Sequence, residues 1–363
     1  MRRWFATERH RIVTKCKKIS LSIKGGLTRK MKKRLLVVGI LLLAFALALP
    51  AYAQDFTIAM VVKGAGNPFF EACRRGGEEA AAELGFNFIF QAPATPTSEG
   101  QIELIDALIA QRVDAILVSA NDPDALVPIL RRAMDRGITV VAFDSGVAPA
   151  GRHMFLNQAD MELIGRMQVQ MLAEMIDYEG EIAILSATST MANQNVWISW
   201  MLQELTKPEY EKMDLVGIVY GDDLREKSYN EALGLFRSRP DLRGIISPTT
   251  VGLAATARAI EDQGLSGKVA LTGLGLPSEM AEYIRNGTSE AIALWNPIDL
   301  GYVSSYMAHA VLTGAIKGEA GEIVNVGRMG EREIVEADGG LEVLLGAPFV
   351  FDIDNIDEWA DVY

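Results

Sequence analysis

The chain has 363 residues, of which 49% are hydrophobic and 23% charged, and its formal net charge is −12. The first 53 residues hold 13 Lys and Arg and one acidic residue, so the remainder has 22 basic and 46 acidic residues and a formal charge of −24. This acidity has the wrong sign for a nucleic-acid-binding protein, which neutralises phosphates with basic groups. The cysteines and histidines show no metal-ligand spacing, so we expect no metal and no cofactor.

Residues 31–53 have the three parts of a secretory signal peptide. A Lys-Lys-Arg start at 32–34 is followed by an apolar run over 35–49 and by the small-x-small sequence Ala-Tyr-Ala at 51–53. The apolar run has 15 residues, whereas a membrane-spanning helix needs about 20. The pattern therefore predicts a cleaved export signal, with a permanent N-terminal anchor as the alternative.

The expected mature protein begins at Gln54, after cleavage near Ala53-Gln54, and is located in the periplasm. Residues 1–30 precede a complete signal peptide and are strongly basic. We interpret them as an N-terminal extension that results from a start codon assigned too early, and we exclude residues 1–53 from the prediction of the fold.

From residue 54 onward, short β-type runs alternate with helical patterns. In a first set, strands are predicted at 56–62, 86–91, 114–119 and 138–143, and helices at 69–84, 101–111 and 123–137. After a link around Asn157, strands are predicted at 181–186, 215–220, 244–247, 268–273 and 291–295, and helices at 195–205, 228–237, 253–263, 278–286 and 300–312. Residues 318–351 are predicted to form turns and short strands. This alternation predicts two α/β domains with parallel sheets covered on both faces.

Polar and aromatic residues follow the predicted strands at their carboxyl ends, where open parallel sheets bind ligands. The candidate binding residues are Lys63, Asn67, Phe69, Phe70, Asp144, Asn193, Gln194, Trp197, Pro248, Thr249, Thr250, Trp295 and Asn296. Aromatic rings stack on the apolar face of a sugar, while carboxylate, amine and amide groups bind its hydroxyls. This mixture favours a neutral polyol over an anion or an amino acid.

Several of these residues also have a purely structural interpretation. Asp144 can cap the next turn, and one of Phe69 and Phe70 can belong to the core. Lys63 can be a solvated surface amine, and Trp295 can be core packing. Asn193 and Gln194 can cap the helix that follows them.

Catalytic motifs are missing from the sequence, so we do not expect an enzyme. Gly64-Ala65-Gly66 lacks the rest of a dinucleotide-binding fingerprint, and there is no Walker-type loop and no Gly-x-Ser-x-Gly elbow. The adjacent acids Asp222 and Asp223 are interpreted as turn or helix-cap residues. An exported glycoside hydrolase is a weaker alternative, because it needs a positioned acid and base.

Asn67-Pro68-Phe69-Phe70 opens a helix after the leading strand, and another strand ends in Asp144. This arrangement resembles the ribose-binding-protein type of periplasmic sugar receptor, over nearly all of residues 54–363. Within that family the chain is most similar to bacterial rhamnose-binding proteins of ABC transporters. The stretches that carry this likeness are 118–128, 143–149, 221–223, 272–280 and 294–301.

The resemblance implies a periplasmic-binding-protein type I fold, with two α/β lobes and a hinge that the chain crosses near Asn157, Asn296 and Arg328. Residues 54–157 with about 297–328 would form the N-terminal lobe, and 158–296 with about 329–363 the C-terminal lobe. It also implies that a sugar binds between the lobes and that the closed form delivers it to the membrane permease of an ABC transporter. A monomer is expected, and a chemoreceptor is a further candidate partner.

The related autoinducer-2-binding proteins are the main alternative. Their Lys and Asp are matched by Lys63 and Asp144, but an Asp-Gln pair is replaced by Asn193-Gln194. A Pro followed two residues later by Ala is replaced by Pro248 and Thr250. Unmatched buried polar groups are costly, so both departures change which diol is preferred. They favour rhamnose, or another deoxy-sugar or polyol, over autoinducer 2, and a polyol- or pentose-binding protein of the same family is a further alternative.

Overall fold

The computed structural model describes residues 56–363, so the predicted N-terminal extension and signal peptide lie outside the described residues. Strands and helices alternate through this part of the chain. The strands are β1 (Thr57–Val61), β2 (Asn87–Gln91), β3 (Ala115–Val118), β4 (Thr139–Phe143), β5 (Met154–Asn157), β6 (Gly180–Ser186), β7 (Met213–Tyr220), β8 (Leu242–Ser247), β9 (Ala270–Gly273), β10 (Ala291–Leu294), β11 (Ile323–Asn325), β12 (Glu331–Glu333), β13 (Val335–Ala337), β14 (Gly340–Leu344) and β15 (Phe349–Asp352).

The helices follow the strands in the order expected of an α/β protein. They are α1 (Pro68–Leu84), α2 (Ser98–Gln111), α3 (Val127–Met134), α4 (Met161–Met175), α5 (Ala192–Glu204), α6 (Arg225–Ser238), α7 (Thr250–Asp262), α8 (Pro277–Arg285), α9 (Pro297–Leu312) and α10 (Ile356–Trp359). Within residues 56–363, none of them combines the length and apolarity that a membrane crossing requires.

The N-terminal lobe is built on a seven-stranded sheet of order β13-β14-β5-β4-β3-β1-β2. Its strands pair in parallel, except for the antiparallel pair β13–β14. The central strands β3 and β4 are buried along their whole length. Helices cover both faces of such a sheet, which explains why these strands read as continuous apolar runs rather than as alternating patterns.

Helices α1 and α9 pack closely on one face of this sheet. A Cβ atom at Gly76 would lie 1.8 Å from the carbonyl oxygen of Ile298, and one at Gly301 would lie 1.9 Å from that of Cys73. The missing side chains therefore allow the two helix backbones to touch. Because α1 begins directly after Asn67, this packing fixes one wall of the space beyond the strand ends.

The C-terminal lobe contains a parallel sheet of order β7-β6-β8-β9 and an antiparallel pair β10–β15. A single parallel bridge between Leu274 and Ala293 connects the end of β9 to β10. The carboxyl ends of β6, β7, β8, β9 and β10 thus lie along one edge of the lobe. Open parallel sheets bind ligands beyond this edge.

The last part of the chain corrects the predicted lobe boundary near Arg328. Strand β14 pairs in parallel with β5 of the N-terminal lobe, and the next strand, β15, pairs with β10 of the C-terminal lobe. Residues 335–344 therefore belong to the N-terminal sheet, and the chain crosses between β14 and β15. Local periodicity indicates that a short strand exists, but the sheet it joins depends on a partner almost 200 positions earlier in the sequence.

Two local predictions also differ from the structure. Strand β5 and helix α4 occupy the region where only a link around Asn157 was predicted. Helix α3 begins at Val127 instead of Pro123. The reason is that Asp122 Oδ1 accepts hydrogen bonds from the backbone N–H groups of Asp124 and Ala125, both at 2.9 Å, and closes a separate turn.

Candidate functional site

A cavity lies where the strand ends of the two lobes face each other. Twelve of the thirteen predicted residues line it, together with Asp223, Leu274 and Leu294. Its empty space, which includes the open mouth, is about 360 Å³.

Asn296 is the predicted site residue that the structure does not bring to the cavity. Its Oδ1 accepts hydrogen bonds from the backbone N–H groups of Ile298 at 2.9 Å and Asp299 at 3.4 Å. This side chain is the N-cap of α9, and that role accounts for the residue type at this position.

A buried ion pair forms the N-terminal side of the cavity. Lys63 Nζ lies 3.1 Å from Asp144 Oδ2, and each side chain is 5% exposed. Ser119 Oγ donates a hydrogen bond of 2.6 Å to the same oxygen. Asp144 has a left-handed backbone with φ of +58°, which turns it out of β4. Buried charges need such partners, so the pair is held in a defined position at the strand ends.

Two buried amides support this ion pair from behind. Asn121 Nδ2 donates to the carbonyl oxygen of Lys63 at 2.9 Å, and Gln101 Nε2 donates to the carbonyl oxygens of Val62 at 3.1 Å and Ser119 at 2.7 Å. Gln101 Oε1 in turn accepts from the backbone N–H of Asn121 at 2.9 Å. The strand ends are thereby linked side by side. Sequence reasoning missed both residues, although a Gln on the buried face of α2 was a usable signal.

The first residues of α5 bring the C-terminal lobe to this ion pair. Asn193 Nδ2 lies 3.4 Å from Asp144 Oδ1, a hydrogen bond from one lobe to the other. Gln194 Oε1 accepts from Ser186 Oγ at 2.8 Å and from the backbone N–H of Ala187 at 2.9 Å. The carbonyl of Gln194 is thus occupied within its own lobe, whereas Asn193 connects the two lobes across the cavity.

Aromatic rings form the apolar wall of the cavity. The ring centroids of Phe69 and Phe70 are 5.2 Å apart, those of Phe69 and Trp295 6.3 Å, and those of Trp197 and Trp295 5.8 Å. Trp197 Nε1 donates to Met161 Sδ at 2.9 Å. Trp295 Nε1 is buried and has no hydrogen-bond partner among the described residues. Rings from both lobes therefore offer faces to C–H groups of a ligand, and one buried indole N–H has no protein partner among the described residues.

Three cavity-lining residues were missed or misread from the sequence. Asp223 does lie in a turn, as predicted, but its side chain lines the cavity and accepts a hydrogen bond from Thr249 Oγ1. Burial raises the pKa of Asp223, as do the charges of Asp144 and Asp222, while Lys63 and Thr249 lower it. Leu274 and Leu294 are apolar residues at strand ends, which in sequence are indistinguishable from core residues.

The fold and this cleft define a bilobal ligand receptor, and comparison with known proteins gives its family. The family described as periplasmic binding protein domain matches residues 58–316. An ABC transporter solute-binding protein from Clostridium phytofermentas, solved with bound L-rhamnose, is 40% identical with a TM-score of 0.83, covering 86% of this chain and all of that one. The chain belongs to this family, the sugar-binding solute-binding proteins of ABC transporters, and the predicted type I fold is confirmed.

More distant relatives agree on the fold. LsrB from Clostridium saccharobutylicum in complex with AI-2 is 24% identical with a TM-score of 0.79, covering 84% of this chain and 99% of that one. The D-ribose/D-allose-binding protein of Pseudomonas aeruginosa is 24% identical over 287 residues, 73% of this chain and 86% of that protein. The family consists of substrate-binding components of transporters and not of enzymes.

Proposed function

We propose that this protein is exported to the periplasm, captures L-rhamnose between its lobes and delivers it to the membrane permease of an ABC transporter. The observation that carries this proposal is the L-rhamnose bound to the relative from Clostridium phytofermentas, at 40% identity over 86% of this chain. The predicted signal peptide, cleaved near Ala53-Gln54, supports export. The protein would act as a monomer, and its partner would be the permease.

The polar side of the cavity supports a neutral sugar as ligand. Asp144 is a buried hydrogen-bond acceptor, and Lys63 and Asn193 are donors that already surround it. A sugar hydroxyl both donates and accepts, so it can join this group without bringing a net charge into the cavity. An anionic ligand would instead meet two carboxylates, Asp144 and Asp223, with Lys63 as the one cation among the lining residues.

The apolar side of the cavity supports a 6-deoxy sugar. L-rhamnose is the 6-deoxy form of L-mannose and ends in a methyl group. Leu274 and Leu294 are buried apolar residues in the cavity lining, and Phe69, Trp197 and Trp295 add aromatic faces. A hydroxyl placed against such a surface would lose its hydrogen bonds to water, which costs about 1–3 kcal/mol.

Closure of the lobes would link binding to transport. The Asn193–Asp144 hydrogen bond and the Phe69–Trp295 contact both join one lobe to the other around the cavity. A sugar that contacts both lobes favours the closed arrangement, because a ligand shifts an equilibrium towards the state that it binds more tightly. The permease would then recognise the closed form.

Calorimetric titration of residues 54–363, which include the whole compact unit 55–363, tests the proposal. The ligands are L-rhamnose, L-mannose, L-lyxose, D-ribose and autoinducer 2. L-mannose adds one hydroxyl to L-rhamnose, and L-lyxose lacks its methyl group, so both are matched controls. We expect one L-rhamnose per chain and binding weaker by about tenfold or more for L-mannose and L-lyxose.

Other outcomes replace or reject the proposed ligand. Tightest binding of D-ribose or autoinducer 2 would keep the receptor class and overturn the assignment of L-rhamnose. Absence of heat with every ligand would contradict the proposed function as a whole. Turnover of a rhamnoside by the protein would contradict the assignment as a non-enzymatic receptor.

A further inference from the structure

The paired acids at the end of β7 have an unusual backbone. Asp222 and Asp223 both have left-handed conformations with φ of +54°. Two consecutive non-glycine residues in this region are strained, since the left-handed conformation costs an L-residue roughly 1–2 kcal/mol. The surrounding backbone holds the turn: the N–H of Asp222 donates to the carbonyl oxygen of Ala187 at 2.8 Å, and that of Leu224 to Gly221 at 2.9 Å.

This turn sends the two neighbouring carboxylates in different directions. Asp222 Oδ2 lies 2.5 Å from Lys227 Nζ, and both of these side chains are close to half exposed. Asp223 lines the cavity, where Thr249 Oγ1 donates to its Oδ1. Thr249 itself lies directly before α7 and also lines the cavity. The strained turn therefore places one carboxylate of the pair in the cavity.

Asp223 lines the same cavity as the buried Lys63–Asp144 ion pair of the N-terminal lobe. The charges that act on it are those of Lys63, Asp144 and Asp222, and burial raises its pKa. Lys63 is already 3.1 Å from Asp144, so one ammonium group serves two carboxylates in the cavity. Asp223 Oδ2 has no protein hydrogen bond among the described residues. A ligand hydroxyl that donates to Asp223 would supply the missing donor.

From this placement we infer that Asp223 contacts the bound sugar and helps to select it, by accepting a hydrogen bond from one ring hydroxyl. Thr249 is the positioning residue that fixes the carboxylate. The inference rests on the proposed function, since it requires that the cleft binds a sugar. It assigns to the C-terminal lobe a carboxylate that corresponds to Asp144 of the N-terminal lobe.

The test compares Asp223→Asn with Asp222→Asn by calorimetric titration with L-rhamnose. Asn adopts left-handed conformations readily, so both variants keep the turn. We expect Asp223→Asn to weaken binding by about 10- to 100-fold, the range for a lost hydrogen bond to a charged group. Asp222→Asn, which removes a half-exposed ion pair, should change the dissociation constant less than about twofold.

Deoxy sugars identify the hydroxyl and exclude a merely structural role. The 1-, 2-, 3- and 4-deoxy derivatives of L-rhamnose, one for each ring hydroxyl, are titrated against the wild type and Asp223→Asn. The derivative that lacks the contacted hydroxyl should bind both proteins with similar affinity, as in a double-mutant cycle. A role in folding alone would weaken the binding of all four derivatives equally, and that result would overturn the inference.

The pH dependence gives a second readout. The ionised carboxylate accepts the hydrogen bond, so binding by the wild type should weaken as the pH falls through the raised pKa of Asp223. Asp223→Asn should lose that part of the pH profile. Asp222→Asn should keep it but move it to lower pH, because the Asp222 charge raises the pKa of Asp223. If the wild type binds L-rhamnose, and Asp223→Asn and Asp222→Asn bind it with equal affinity, this inference alone is overturned. Failure of the wild type to bind any sugar would overturn the proposed function, and the inference with it.

Discussion

On the N-terminal side of the cavity, the Asp144 carboxylate already contacts Lys63 Nζ and Ser119 Oγ. On the C-terminal side, Asp223 has Thr249 as its one hydrogen-bond donor, and Trp295 Nε1 has no partner within the described part of the chain. The first group is ready before a ligand arrives, whereas the second retains unused hydrogen-bonding capacity. Under the proposed function the two lobes would therefore have different tasks: the N-terminal lobe would hold a fixed binding surface, and the C-terminal lobe would be completed by the sugar.

The largest effect is expected from Asp144→Asn. Asn tolerates the left-handed backbone at this position, but the substitution leaves the buried Lys63 ammonium without its charged partner. We expect L-rhamnose binding to weaken by about 100-fold or more, because the buried charge-assisted hydrogen bonds are lost. Calorimetric titration measures this loss, and thermal unfolding measures the accompanying loss of stability.

The matched control for this variant is Asp177→Asn. Asp177 also has a left-handed backbone, with φ of +54°, and is exposed outside the cavity. Its replacement should leave sugar affinity unchanged within about twofold. Equal affinities in Asp144→Asn and wild type would refute the idea that the N-terminal side carries a preformed binding group.

The C-terminal lobe also contains a buried carboxylate whose hydrogen bonds are complete. Away from the cavity, the buried Glu204 carboxylate accepts hydrogen bonds from Arg166, Gln170, Lys207 and Tyr210. Despite the opposing effect of burial, these partners lower the pKa of Glu204 to about 2. The lobe thus satisfies a buried carboxylate fully where no ligand is involved. We expect Glu204→Gln to lower the free energy of unfolding at pH 7 by about 2 kcal/mol.

The pH dependence of this contribution has a defined sign. The pKa of Glu204 is lower in the folded state than its ordinary value of 4.5. The stabilisation is therefore complete above pH 4.5 and is lost as the pH falls through about 2. Chemical denaturation of the wild type and Glu204→Gln should give curves that converge at low pH, with L-rhamnose affinity unchanged. A stability difference that is constant from pH 7 to pH 2 would contradict this account.

The smallest expected effect is that of Trp295→Phe, which removes the unpartnered indole N–H and keeps an aromatic ring. We expect L-rhamnose binding to weaken by about tenfold, the equivalent of one hydrogen bond. Trp197→Phe is the matched control, because the N–H of Trp197 already donates to Met161 Sδ. If the two variants weaken binding equally, the indole N–H of Trp295 has no special role.

Most of the cavity lining could be predicted from the sequence, because open parallel sheets bind ligands beyond the carboxyl ends of their strands. Residues that directly follow separate predicted strands are therefore expected to meet at one site. Asp144 and Asn193 lie 49 positions apart, yet both follow predicted strands and meet in the structure. The same rule placed Asn296 in the site, although its side chain caps α9. Proximity of the backbone to the cavity therefore does not determine where a side chain points.

What could not be predicted depends on backbone angles and distant pairing. The direction of Asp223 follows from two successive left-handed residues, which no periodicity indicates. Leu274 and Leu294 read as core because burial in a cavity wall and burial in a core require the same residue type. The place of β14 depends on its pairing with β5, so the sequence gives its extended conformation and not its lobe.

The most direct test of the whole account is an NMR titration of the tryptophan indole N–H signals with L-rhamnose. Residues 54–363 contain four tryptophans, at positions 197, 200, 295 and 359, and the corresponding Phe variants assign the signals. We predict that the Trp295 signal shifts and saturates at one L-rhamnose per chain, while the Trp359 signal, from helix α10, stays in place. Saturating L-rhamnose with no change in the Trp295 signal would contradict it.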